Sequence, residues 1–560
     1  MSTEKAQEVI NTAVQNQPEP PRYWRNSGCR TYLTGCLKIC LLAALVLAVP
    51  FWWFCLHTTP LRFSKETTYI TEPKTSDGKR IDYFRALEER YYPPEMKTDD
   101  NGYRIFIRGC GTLHEISYYD PPNESNESFR LQTYEKLGLD SNIKPAMKIE
   151  EPNKFIRRTT KDNPEYKDAK DIVEVWNRHT EHSTPWTFKD FPVLKNWLDE
   201  NTAGIDLLGE AVRKPVFRAP LVRENENVSL IAILLPQIRG IRELSRAVNG
   251  RALYRIGIGD IDGAIDDKIT LYRLGRYAGQ SPFLIGGLVG FAIEGMGAAI
   301  GIDANPDFPA TKEQIERLMR EIDALPPRIT FAECIETERY CGLGTIQDLF
   351  RRDIPSKHAT SLDIIGLFPS LSWSVDSNIL LVQFNKAYDE MIAGTFDEAS
   401  FRSFRPSRNP FRYMTVRSRT ERMGDVLLRL LVPAVNGFNK ALNRNECADN
   451  MQRITLALLL YEMEHGKLPD GDWQTAIKSY LGKDADKYFH CPSDTQTAYA
   501  LVSNGGDLLL VETERSKPQP EGSVTIPNDP SLFKGKHPHV YNAGYRNGAV
   551  RSISETKKDK

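Results

Sequence analysis

The chain is short of cysteine, of net charge and of low-complexity sequence, and each shortage removes a class of explanation. Nine cysteines in 560 residues are too few to frame a disulfide-built scaffold. Lys+Arg 73 against Asp+Glu 74 leaves a formal charge of -1, so no long-range field draws the molecule to nucleic acid. Gly 37 and Pro 35 exclude collagen-like and Pro-rich architectures. Catalytic signatures are missing too: there is no HExxH pair, no Gly-x-Ser-x-Gly elbow, no phosphate loop and no dinucleotide fingerprint. What is there is globular material, 40% hydrophobic and 26% charged. At about 100–200 residues per domain the length suggests three or four folded units.

Long apolar runs are rare. The first, Ile39 to Leu56, holds eighteen residues without a charge. As a helix it would rise about 27 Å, close to the bilayer hydrocarbon thickness. Trp52 and Trp53 near its end suit the headgroup region. Arg22, Arg25, Arg30 and Lys38 precede it and Arg62, Lys65 and Lys74 follow, a bias that keeps the N-terminus inside. With no small-x-small cleavage site after it, the run reads as an uncleaved signal anchor. The bilayer is therefore an expected partner, with a cytoplasmic N-terminus and the bulk of the chain extracytoplasmic. Leu33-Thr34-Gly35-Cys36 matches a lipoprotein box but precedes the apolar stretch instead of following it. The second run, Phe283 to Ile302, contains six glycines and a central Glu294 and has no flanking anchors. It reads as a helix buried in a large helical domain, with Gly286/Gly290 and Gly297/Gly301 at a close-packing spacing.

Composition and periodicity divide the chain into a polar cytoplasmic tail (1–30), the anchor (31–57), a juxtamembrane linker with little regular structure (58–166), an α-helical domain (167–440) and an α+β unit (441–560). The linker offers one short helix over Ile81–Tyr91, a strand-like Tyr103–Ile107 and a loop at Pro121–Asn126. In the helical domain Leu194, Trp197, Ile205, Leu208 and Val212 fall on one face of a helix starting near Pro192. Two further amphipathic runs flank the Gly259–Gly263 turn within Ala252–Gly279, which has the look of a tetratricopeptide-like helical hairpin. After a long helix, Asn445–His465, the last unit shows β character at Tyr499–Val502, Leu508–Glu512, His539–Gly544 and Ala549–Ile553. Asn547-Gly548 between the last two is a hairpin turn.

This last unit resembles a bacterial family abundant in planctomycetes, the prepilin-like proteins whose ending reads His, nine residues, then Asp-Gly. His537 and Asn547-Gly548 reproduce the spacing, with Asn in the Asp place. Cys447-Ala448-Asp449-Asn450, then Tyr461, Gly466 and Pro469, and Cys491-Pro492-Ser493-Asp494 match the family's other landmarks in order. The resemblance implies a pseudopilin-like head, a long helix laid over a small sheet. The family's leader and polymerising helix do not precede Cys447, where the helical domain stands. That domain resembles uncharacterised helical regions of the same bacteria.

Five groups of residues carry candidate chemistry. Cys447 and Cys491 are either a disulfide, in an oxidising compartment, or two buried thiols. Cys334 and Cys341, seven residues apart on one expected helix, lie too far apart to bond. His179 and His182 could face one metal, but no third ligand accompanies them, and a solvated pair explains them better. Asp260, Asp262, Asp266 and Asp267 lack EF-hand spacing and read as a helix N-terminus. Glu294, Glu333, Glu336 and Glu338 lack the Glu-x-x-His pairs of a carboxylate-bridged metal site. Arg402, Arg405, Arg408, Arg412, Arg417 and Arg419, interleaved with aromatics, are a candidate contact for an anionic surface. No cofactor is expected.

The fold class expected is thus multidomain: one N-terminal transmembrane helix, an all-α middle domain with a tetratricopeptide-like hairpin, and a small pseudopilin-like α+β domain. The function expected is membrane-anchored scaffolding or binding of an envelope protein partner, without a catalytic motif. The alternatives are an envelope hydrolase with its site in the helical domain and an accessory component of a pilus-like or secretion machine.

Overall fold

The computed structural model describes residues 57–117, 124–160, 169–223, 230–281, 283–349, 375–396, 415–491, 494–502, 508–514 and 540–554, with Val49, Trp52 and Trp53. Apart from those three positions and His57, the expected anchor lies outside the described residues. Among the described residues no helix is long and apolar enough to cross a membrane.

The architecture is largely helical with a small C-terminal antiparallel sheet. In chain order the helices are α1 (Tyr83–Tyr91), α2 (Gly102–Cys110), α3 (Leu113–Ser117), α4 (Glu124–Lys136), α5 (Pro152–Thr160), α6 (Ala169–Glu181), α7 (Leu194–Ala211) and α8 (Leu230–Ile258). They continue with α9 (Ile261–Gly279), α10 (Leu284–Ala299), α11 (Lys312–Asp323), α12 (Phe331–Leu349), α13 (Ser377–Ile392), α14 (Val416–His465) and α15 (Trp473–Leu481). The strands are β1 (His490–Cys491), β2 (Asp494–Leu501), β3 (Leu508–Glu514), β4 (Val540–Tyr545) and β5 (Val550–Ser554).

The segment 58–166 departs from its expected irregularity, since it contributes α1 to α5. Tyr103–Ile107 in particular is helix, not strand. Asn101 caps α2 by accepting from the Tyr103 amide, and Tyr103, Phe106, Ile107 and Cys110 bury one face at helical spacing. A five-residue apolar run carries both periods, and the cap decided between them. The expected loop at Pro121–Asn126 gives way to α4 at Glu124.

The helical hairpin forms as α8 and α9. Gly259 makes the turn with φ +82, and Asp260 caps α9 by accepting from the Gly263 amide at 3.0 Å. The apolar run 283–302 folds as α10, packed on α9 and α14. Its glycines permit the approach: a Cβ on Gly290 would stand 2.5 Å from the Gly275 carbonyl oxygen.

The expected helix Asn445–His465 reaches back to Val416, so α14 runs fifty residues through the expected boundary at 440/441. It ends where Gly466 turns left-handed at φ +72. Against its C-terminal half lies a meander, β2–β5, edged by the two-residue β1. Gly548, at φ +76, makes the β4–β5 turn. One apolar cluster joins Met451, Ile454 and Leu458 of α14 to Tyr499 and Leu510 of the sheet and to Ile265 and Ile269 of α9. The helical body and the sheet therefore share a core.

Candidate functional site

A cleft of about 590 Å³ opens in the helical body between α5, α6 and α8. A second of about 370 Å³ lies beside it, and Lys154 lines both. The polar face of α8 supplies Arg239, Glu243, Arg246 and Asn249 at helical spacing. From α5 come Asn153, Lys154 and Arg157; from α6 come Trp176, Asn177, Thr180 and Glu181. The ring of Trp176 is held edge-on by Trp186 at 5.4 Å and Phe191 at 5.1 Å.

The charges lining these clefts are mostly matched. Lys154 Nζ lies 2.5 Å from Glu243 Oε2, and Arg239 Nε lies 3.4 Å from Glu243 Oε1. Arg246 pairs with Glu151 at 2.6 Å, while Lys148 and Arg158 meet Glu150 at 2.9 and 3.0 Å. Burial pushes the Glu243 carboxyl up, and Lys154 opposes that shift. The unmatched groups are amides. The Oδ1 atoms of Asn153 and Asn249 are buried without a donor among the described residues, and Asn249 is only 6% exposed. Such acceptors call for donors from outside the described residues.

Beneath this region the helical body meets the head through buried charge. Glu294 of α10 lies 3.1 Å from Arg276 and 2.5 Å from Arg328, and Asp449 of α14 lies 2.7 and 3.0 Å from the same two guanidiniums. Burial opposes the Arg328 charge, yet Asp449 and Glu294 outweigh it and hold its pKa above the ordinary value. Asp449 is held below the usual carboxylate range, its burial overcome by Arg328, Arg276 and Arg453. Beside them Lys268 is wholly buried, donating at 2.8 Å to the carbonyls of Gly297 and Ile300 at the end of α10. Burial pushes its pKa down to about 7.

The residues singled out in the sequence are scattered through this frame. Cys447 and Cys491 are joined as a disulfide with Cα atoms 5.1 Å apart. Cys334 and Cys341 are buried free thiols on α12. His537, Arg402, Arg405, Arg408 and Arg412 lie outside the described residues. Arg417 and Arg419 stand at the start of α14, where Arg417 is exposed and pairs with Glu421 at 2.9 Å. Asn547 and Gly548 lock the hairpin to the body: Asp303 N donates to Asn547 O at 3.1 Å, and Gln452 Nε2 donates to Gly548 O at 2.7 Å.

His179 Nε2 lies 3.1 Å from the Pro185 carbonyl, and His182 is exposed. Asp262 and Asp266 pair with Arg317, and Asp267 pairs with Arg251. The glutamates part company as well. Glu333 accepts from Thr330, Glu336 pairs with Arg90, and Glu338 accepts from the Leu284 amide. Among the described residues no three His, Cys, Asp or Glu side chains gather as a metal site would require.

The cleft escaped sequence reasoning because α5 lies in the supposed linker. The signal that could have found it is the polar stripe Arg239, Glu243, Arg246 on a helix judged by its apolar residues alone. No protein-family model matches the chain, and comparison with curated proteins and with solved structures finds no match.

Proposed function

We propose that this chain is a membrane-anchored extracytoplasmic protein of the bacterial envelope that scaffolds and binds a protein partner through the cleft between α5, α6 and α8. The anchor is the apolar run Ile39 to Leu56, and its flanking charges favour a cytoplasmic N-terminus. The observation that carries the binding reading is the pair of donor-less acceptors, Asn153 Oδ1 and Asn249 Oδ1, inside a cleft where Lys154, Glu243, Arg246 and Glu151 are already ion-paired. Such a site favours a polar, uncharged partner segment rich in amide or hydroxyl donors. Matched charges hold a shape in place, whereas acid–base catalysis needs a titratable group aimed at the substrate. The long helix packed on a meander supports the pseudopilin-like reading of the head, and α8–α9 supports the tetratricopeptide-like one.

The test is site-specific photocrosslinking in native membranes, with the crosslinker at Thr180 in the cleft and at exposed Lys386 on α13 as control. A product specific to Thr180 and lost in Asn249→Leu is expected. Identical products from both positions would refute the cleft as the binding surface.

A further inference from the structure

Away from the cleft, the chain that follows the apolar run Ile39 to Leu56 is fastened to the starts of α13 and α14. Trp52 and Trp53 close on the His57 ring at 4.9 and 4.5 Å, and the His57 amide donates to the Trp52 carbonyl at 2.8 Å. Thr59 is held by Asp376, the N-cap of α13, which accepts from its amide at 2.9 Å and from its hydroxyl at 2.8 Å. Asn378 donates to the Pro60 carbonyl at 2.9 Å and accepts from the Arg62 amide at 2.8 Å. The Asp376 amide in turn donates to Thr420 Oγ1 at 3.0 Å, and further along Gln383 Nε2 donates to Asp425 Oδ1 at 2.7 Å. The two helices therefore start at one end and run the same way, and the buried Asp376, Asn378 and Thr420 tie that end to Thr59.

Chain length sets where that end sits. Thr59 stands three residues past Leu56, a reach of at most about 11 Å at about 3.6 Å per residue. A headgroup layer is about 5–7 Å deep on each side of the hydrocarbon. With the apolar run in a bilayer, the end where α13 and α14 begin thus lies at the membrane surface. Its charge suits that place. In 59–67 and 415–421 the cations Arg62, Lys65, Arg417 and Arg419 stand against the carboxylates Glu66 and Glu421. Arg62, Lys65 and Arg417 are exposed; Arg417 pairs with Glu421 at 2.9 Å, while Arg62 and Lys65 enter no ion pair among the described residues. The N-terminal dipole ends of both helices add positive potential on the same side.

We propose that this end of the body docks on anionic lipid headgroups through Arg62, Lys65, Arg417 and Arg419, which holds the body against the bilayer. The proposal rests on the anchor reading of Ile39 to Leu56 and adds to it a face and a lipid charge. A lipid surface fits better than a soluble anion, because these cations lie spread over one end of the body and three of the four are exposed. Each cation held at an anionic surface strengthens association about fivefold, and the attraction fades within a Debye length, about 8 Å in physiological salt.

The experiment places photoreactive benzoylphenylalanine at Ser418 in the first turn of α14 and, as control, at exposed Met463, about 60 Å further along the helix. The full-length chain is reconstituted in nanodiscs of phosphatidylcholine with or without phosphatidylglycerol and irradiated, and lipid adducts are counted by mass spectrometry. Adducts at 418 and not at 463 are expected, in at least fivefold higher yield with phosphatidylglycerol. Arg62→Gln/Arg417→Gln, which leaves the backbone bonds to Asn378 in place, is expected to erase that preference. Equal yields at 418 with and without phosphatidylglycerol, equal yields at 418 and 463, or capture of a second copy in place of lipid overturns the proposal. Carbonate extraction reads the anchor separately. A chain that carbonate releases overturns the anchor and this face together, whereas an inserted chain without lipid adducts at 418 overturns the face alone.

Discussion

Two arginine sites in this molecule are built in opposite ways, one buried and one partly exposed. At the join between body and head, two guanidiniums face two carboxylates drawn from α9, α10, α14 and the segment before α12. Around a small cavity, Arg218 faces tyrosines and a glutamine instead. The first arrangement matches two charges with two and holds elements from body and head in register. The second is partly exposed and rests on a backbone carbonyl, an amide oxygen and a ring. The difference lies in burial: the guanidiniums withdrawn from water meet carboxylates, and the one that keeps part of its exposure meets neutral oxygens.

The sharpest way to break this comparison is to unbalance the buried site. Glu294→Ala leaves Arg276 and Arg328 sharing Asp449, and a loss of about 3–5 kcal/mol in urea unfolding is expected. A loss below about 1 kcal/mol would make the join no more important than a surface pair. Opening the Cys447–Cys491 disulfide, which closes a loop of 44 residues, should lower head stability by about 4 kcal/mol. Thermal unfolding of oxidised protein against Cys447→Ala/Cys491→Ala reads that effect.

Gly290→Ala tests whether the join depends on contact between α9 and α10, since its Cβ would press on the Gly275 carbonyl. Destabilisation of about 1–3 kcal/mol is expected by the same measurement.

Lys268 gives a pH signature. Its folded pKa, about 7, lies below its unfolded value, so between those two values the unfolded chain binds the extra proton. Wild type should therefore gain stability over Lys268→Met as pH rises from about 7 to 10, by roughly 1 kcal/mol per unit. A flat difference curve would mean that the α10 carbonyls keep the ammonium fully charged. The smallest effect belongs to the partly exposed site. Arg218→Met should cost about 1 kcal/mol, because it removes the hydrogen bonds to the Tyr91 carbonyl and Gln280 but no ion pair.

Much of the fold was legible along the chain. Asp260 announced the start of α9, Asn547-Gly548 the last hairpin, and the glycines of Phe283 to Ile302 a helix that packs closely on its neighbours. Each is a signal of local range, a cap, a turn or a face. Tyr103–Ile107 was illegible for the same reason: five apolar-rich residues satisfy strand and helix periods alike, and the Asn101 cap went unread. The cleft was hidden because Asn153 and Asn249, nearly a hundred residues apart, converge only when α5 packs on α8.

Hydrophobic periodicity and turn chemistry, short-range properties of the chain, were enough to establish a helical body followed by a small sheet with a hairpin at its end. They could not say that α14 would run unbroken from one unit into the other, nor that Arg276 and Arg328 would find Glu294 and Asp449 while Arg218 found no carboxylate among the described residues. Whether a charge is paired depends on distances between residues far apart in sequence. Those distances exist only once the helices have packed.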